Sequence, residues 1–93
     1  MQLGLLSLGD CLDDPATGLR PTPAERHRAI VDEAVLAETL GFDSVWLGEH
    51  HFGPYTHGDI PNPILVGADL AARTKKIRIG QMANIAPWWH PIR

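Results

Sequence analysis

The chain has 93 residues, of which 44% are hydrophobic and 20% charged, and a formal net charge of −3. That composition is globular and argues against disorder, while scattered Lys and Arg argue against a nucleic-acid-binding face. No apolar run approaches the roughly 20 residues of a membrane-spanning helix.

Leu3 to Leu8 is a short apolar run closed by Gly9-Asp10 and reads as a buried strand. It lacks the cationic start of a secretory signal, and the single cysteine, Cys11, excludes an internal disulfide. Both features fit a reduced, cytoplasmic setting. Residues 9–21 form a loop rich in Gly, Pro and Asp. Cys11 lies in it, where Asp10, Asp13 and Asp14 are expected to raise its pKa and make it a bystander rather than a nucleophile.

A helix is predicted next. Thr22 is a good N-cap, Pro23 suits the first helical position, and Glu25 completes a capping box. Ile30, Ala34, Ala37 and Leu40 fall on one face, with Arg26, Asp32, Glu33 and Glu38 expected to face water. Gly41 stands where a helix end favours a left-handed residue.

Ser44 to Leu47 reads as a second strand, followed by a loop over 48–61. Asn62-Pro63 starts a second helix, whose apolar face is expected to be Ile64, Ala68 and Ala71, flanked by Leu65 and Ala72. Thr74-Lys75-Lys76 turns the chain into a third strand over Ile77 to Ala83, after which Pro87 and Pro91 break any regular pattern.

The order β-α-β-α-β implies a parallel sheet with right-handed crossovers. The strand-to-helix loops run to about 13 residues, well beyond the usual 2–6, and lie at the end where parallel α/β proteins place their sites. A dinucleotide-binding Rossmann unit shares the order, but Gly9-Asp10-Cys11-Leu12-Asp13-Asp14 is acidic and has no G-x-G-x-x-G. The better reading is a β-α-β-α-β segment of a (β/α)8 TIM barrel, incomplete because a whole barrel needs about 250 residues. Residues 1–93 are therefore expected to be the N-terminal part of a barrel domain in a longer chain, with activity belonging to the complete barrel.

Of five histidines, His50, His51, His57 and His90 lie just past a predicted strand end, and only His27 lies on a helix. Imidazole moves protons near neutral pH, so this asymmetry points to a site at the barrel mouth. In extended backbone, only one of His50 and His51 can face the barrel axis. Glu49, His50, His51, His57 and Asp59 are all metal-ligand types, but their spacing matches no standard zinc motif. Trp88-Trp89 can wall an aromatic cofactor or simply pack under a loop.

The run Gly41-Phe42-Asp43-Ser44-Val45-Trp46-Leu47-Gly48-Glu49-His50-His51-Phe52 resembles the bacterial luciferase-like monooxygenases. So does Ala72-Arg73-Thr74-Lys75-Lys76-Ile77-Arg78-Ile79-Gly80, continuing through Pro87 to His90-Pro91-Ile92-Arg93. The resemblance implies a flavin-dependent oxidoreductase that uses reduced FMN and O₂ to oxidise a small organic substrate, or, in sister branches, the deazaflavin F420 for hydride transfer. By the same resemblance, His50 is similar to a histidine proposed as a base beside the flavin, with His51 and Glu49 as its catalytic companions. Met82 and Ala83 match the cofactor-binding place where the third strand meets the isoalloxazine ring, often across a cis peptide. The strand tip here reads Gln81-Met82-Ala83-Asn84, where family members often carry small residues. A separate flavin reductase and a homo- or heterodimer are implied as partners. Two other readings stand beside this one: a metal-dependent barrel hydrolase, and a non-catalytic fragment or interface module.

Overall fold

A computed structural model describes residues 1–52 and 58–92, so His57 and Arg93 lie outside the described residues. Three strands, β1 (Gly4–Ser7), β2 (Ser44–Leu47) and β3 (Arg78–Gln81), form a parallel sheet in the order β1-β2-β3. Helices α1 (Pro23–Thr39) and α2 (Pro63–Arg73) make the two crossovers. The predicted order holds, with strands one and three shorter at their ends than expected. Pro87 does not interrupt regular structure altogether, because it sits inside a short 3₁₀ turn, Ala86–Trp88.

Both helix starts form as their sequences dictate. Thr22 Oγ1 accepts from the Glu25 amide while the Glu25 carboxylate accepts from the Thr22 amide, so two otherwise orphaned donors are satisfied. Asn62 Oδ1 accepts from the Leu65 amide at 3.2 Å. At the far end of α1, Gly41 takes φ +85°. The amides of Gly41 and Phe42 then donate to the carbonyls of Glu38 and Ala37, a Schellman closure that reverses the chain directly into β2.

The register aligns Leu5, Val45 and Ile79 across the sheet, and Leu6, Trp46 and Gly80 beside them. Alternation sends the first row towards the helices and the second to the opposite face. Val45, Leu47 and Ile77 join Ile30, Val31, Ala34, Ala37, Val66 and Leu70 in the core.

Two helix faces differ from the sequence expectation. Leu40 is exposed, because the chain has already left the helix at the Schellman turn. In α2 the buried residues are Pro63, Val66, Gly67 and Leu70, while Ile64, Leu65, Ala68 and Ala71 face outward. Gly67 explains the choice: a Cβ there would lie 2.9 Å from Gln81 Nε2 and 3.4 Å from Ile79 Cγ2, so β3 packs against the one bare position of the helix.

Two residues expected in water are structural links instead. The Arg26 guanidinium donates to Glu33 at 2.7 Å and reaches Ser7 Oγ at the end of β1 at 3.5 Å. Glu38 Oε1 accepts the backbone N–H groups of Lys75, Lys76 and Ile77 at 2.8, 2.6 and 2.9 Å. These three amides, led by that of Ile77, hold the Glu38 carboxyl below the usual carboxylate range. Between the helices, His27 Nε2 lies 3.1 Å from Asp69 Oδ2, and Arg73 Nε donates to Asp69 Oδ1 at 2.8 Å.

Candidate active site at the C-terminal ends of the strands

The sheet face turned away from the helices carries Leu6, Trp46, Gly80 and, one step beyond β3, Met82. The Trp46 indole lies across β3 at Gly80, and a Cβ there would sit 2.4 Å from two of its ring carbons. Trp46 Nε1 donates to Ser44 Oγ at 3.0 Å, which satisfies the one polar atom of the ring on this face. Leu6, Trp46 and Met82 remain substantially exposed, and with Gly4 and Leu5 they line a shallow apolar cavity of about 280 Å³.

At the upper rim, the Met82 amide donates to the Leu47 carbonyl at 2.7 Å, and the Met82–Ala83 peptide is cis. Gly48 lies close by: a Cβ on it would come within 3.4 Å of the Met82 carbonyl oxygen and 2.7 Å of Leu8 Cδ2. The bare Gly48, just past β2, thus lets the Leu8 side chain and the tip of β3 approach closely.

Glu49 follows, fully buried in its side chain. Its Oε1 accepts from Trp89 Nε1 at 2.6 Å and lies 2.7 Å from His51 Nε2, and its Oε2 accepts from the Ile85 amide at 2.6 Å. Burial pushes this carboxyl up, but the donors from Ile85, His51 and Trp89 outweigh it and hold the carboxyl below its ordinary range. His51 in turn meets Trp88 edge-on, with ring centroids 5.2 Å apart. His51, Phe52, Trp88 and Trp89 line a cavity of about 460 Å³.

The His50 ring takes a different environment. Its amide donates to the Ile60 carbonyl at 2.9 Å, and the ring packs on two glycines. A Cβ on Gly58 would fall 2.7 Å from His50 Cγ, and one on Gly48 3.4 Å from Cδ2. The neighbouring histidines thus diverge, one towards Gly48 and Gly58, the other onto the buried carboxylate.

The remaining candidates are not drawn into this cluster. His90 is exposed, and its Nδ1 accepts from the Ile92 amide at 3.3 Å. Burial first, and Asp59 second, push the Cys11 thiol up. The direction is as expected, but Asp10 contributes least and Asp13 and Asp14 are not among the causes. Among the described residues, no three His, Cys, Asp or Glu side chains converge as a metal site. The sequence reading missed Trp46, and its only signal was strand alternation, which places it opposite Val45 and Leu47.

A parallel βαβαβ unit with long loops after its strands and an open apolar face opposite the helices defines a (β/α)8-barrel segment, a fold that places sites at the C-terminal ends of its strands. The chain belongs to the luciferase-like monooxygenases: the family model so described matches residues 1–93. The oxygenase component of flavin-dependent trigonelline monooxygenase from Acinetobacter baylyi is 37% identical over 78 residues, covering 80% of this chain and 21% of its own. An alkanal monooxygenase alpha chain from Photorhabdus laumondii is 43% identical over 69 residues, covering 74% of this chain and 19% of its own. Among solved structures, the oxygenating constituent of 3,6-diketocamphane monooxygenase from Pseudomonas putida, a type II Baeyer–Villiger monooxygenase in complex with FMN, matches with a TM-score of 0.78 and 28% identity. That match covers 99% of this chain and 23% of the other. The chain thus spans about a fifth of the length of the relatives it matches.

Proposed function

We propose that the protein is a flavin-dependent monooxygenase that uses reduced FMN and O₂ to oxidise a small organic substrate, with residues 1–93 forming the first part of its barrel domain. The observation that carries this reading is the open apolar inner face ending at Met82 and Ala83, in a fold that overlays an FMN-bound monooxygenase. A flat, largely apolar ring fits such a face: Gly80 raises no side chain from β3, and Leu6, Trp46 and Met82 present mainly apolar surface around it.

Met82 and Ala83 would hold the ring from the strand tip, with Trp46 as floor. Reduced FMN supplies the electrons that activate O₂ towards the substrate. In the complete barrel, the apolar floor would help keep water from the reacting atoms. In this reading His50 would take or give a proton at the rim, with His51 and Glu49 completing the catalytic group.

A separate reductase is the proposed source of reduced flavin, a reading supported by the name of the A. baylyi relative as an oxygenase component. The outward apolar face of α2, with Ile64 and Leu65 exposed, supports assembly as a homo- or heterodimer. Among the described residues, no helix is long and apolar enough to cross a membrane. A cytoplasmic location is part of the proposal and rests on the single cysteine, which fits a reducing compartment.

The test is an anaerobic titration of the intact protein with reduced FMN, followed by fluorescence, and then admission of O₂ in the presence of an aldehyde or ketone. Saturable binding and substrate-dependent oxygen uptake are expected. Hydride transfer from reduced F420 without oxygen uptake would replace this reading with a dehydrogenase or reductase.

A further inference from the structure

We propose that Glu49 is a positioning residue that holds the His51 imidazole in its Nε2–H form, leaving Nδ1 as the basic nitrogen at the rim, and that the same carboxylate anchors the Trp89 loop. This rests on reading the rim as the active site. The argument starts from what each partner can do. The Trp89 indole and the Ile85 amide are donors only, so both carboxylate oxygens of Glu49 must accept. Two obligate donors on a buried carboxyl favour its ionised form, which has no proton to offer. His51 Nε2, 2.7 Å from Oε1, must therefore carry the proton between them.

A neutral His51 then has its lone pair on Nδ1. Turning the ring about its Cβ–Cγ bond would carry Nε2 away from Glu49 and break that hydrogen bond. His51 also lines the cavity of about 460 Å³ formed with Phe52, Trp88 and Trp89, so its fixed tautomer is presented at a space a small molecule can enter. Among the described residues, His50 has no comparable carboxylate on its ring. The two adjacent histidines are thus prepared differently: His51 with one nitrogen committed and the other basic, His50 held by packing on glycine. Because Glu49 also takes donors from Ile85 and Trp89, it joins the loop after β2 to the loop after β3.

The experiment is long-range ¹H–¹⁵N correlation spectroscopy of the intact protein labelled with ¹⁵N-histidine, with His51→Gln used for assignment. Wild-type His51 is expected in the Nε2–H form. In Glu49→Gln the side-chain amide can donate as well as accept, so the Nδ1–H form should become populated. Exchange of the Ile85 amide and the Trp89 indole proton should accelerate by about tenfold or more, as for loss of a charge-assisted hydrogen bond. Trp89→Phe, which keeps the carboxylate, should leave the His51 tautomer in place and gives a second readout if Glu49→Gln does not fold. An Nδ1–H tautomer in the wild type, an unchanged tautomer in Glu49→Gln, or a lost one in Trp89→Phe would overturn the proposal. None of these readings depends on flavin. An intact tautomer in a protein that binds no reduced FMN would therefore sink the proposed activity and leave this assignment standing.

Discussion

The indole of Trp46 occupies the space that a side chain at Gly80 would need. The nearest ring carbons lie 2.4 Å from where that Cβ would stand, closer than any real contact. A strand interior normally disfavours glycine, so its presence here is explained by the neighbour on β2 rather than by backbone conformation.

Gly80→Ala is therefore expected to destabilise the protein by about 1–3 kcal/mol, the usual range for overpacking. Trp46→Leu should relieve most of that loss in the double variant. Denaturant unfolding of the wild type, both single variants and the pair gives the coupling directly. Simple additivity would show that the two positions do not compete for space.

The Glu38 carboxylate predicts an acid-sensitive link. Its folded pKa is lowered, so its contribution is fully present above the unfolded value, about 4.3, and is lost as pH falls through the folded value. Glu38→Gln should be less stable than wild type at pH 7, and the gap should narrow as pH drops below the ordinary carboxylate range. Thermal melts at a series of pH values check this, and a gap independent of pH would mean that the three amides gain little from the charge.

Thr22→Ala removes the side-chain half of the α1 capping box and should cost about 1 kcal/mol. Hydrogen exchange at the Glu25 amide, which Thr22 Oγ1 accepts, should be the first to accelerate. Protection lost evenly along α1 would point to a different origin.

His50→Ala should leave the fold intact, since the ring packs on glycines at the rim rather than in the main cluster of the core. In the intact protein, turnover should fall by a factor on the order of 10²–10⁴, as for loss of a general acid–base. Circular dichroism and steady-state kinetics together decide it, and near-normal turnover would make His50 a structural residue.

Local chemistry was legible wherever the signal lay within one turn of chain. Thr22 with Glu25, Asn62 with Pro63 and Gly41 each announce a helix end through neighbours at most four residues away, and each forms as read. The phase of α2 was not legible. Ile64, Leu65, Ala68 and Ala71 are as apolar as Val66, Gly67 and Leu70, so periodicity alone cannot choose between the faces. The choice was made by Gln81 and Ile79, which need the bare flank at Gly67. Glu38 fails for a related reason: an acid on an amphipathic pattern reads as solvated, and nothing local reveals that amides 37 to 39 residues away will meet it. Glu49 stood out beside the histidines as a site candidate, but its indole partner, 40 residues away, was not legible. That the two adjacent histidines point apart was legible from extended-strand alternation, but which neighbours each meets depends on Gly58 and Trp88, which only the fold brings near.

The clamp on Glu38 also sets what this molecule can afford to vary. One oxygen receives three consecutive amides, so the turn from Thr74 to Ile77 has a fixed length, and a single inserted residue would pull at least one donor away. At the opposite rim, the segments after β1 and β2 are longer, and among the described residues no carboxylate there gathers three successive amides. Sequence drift, loop grafting and selection for new substrates can therefore act on one end of the sheet while the other keeps its strands in register.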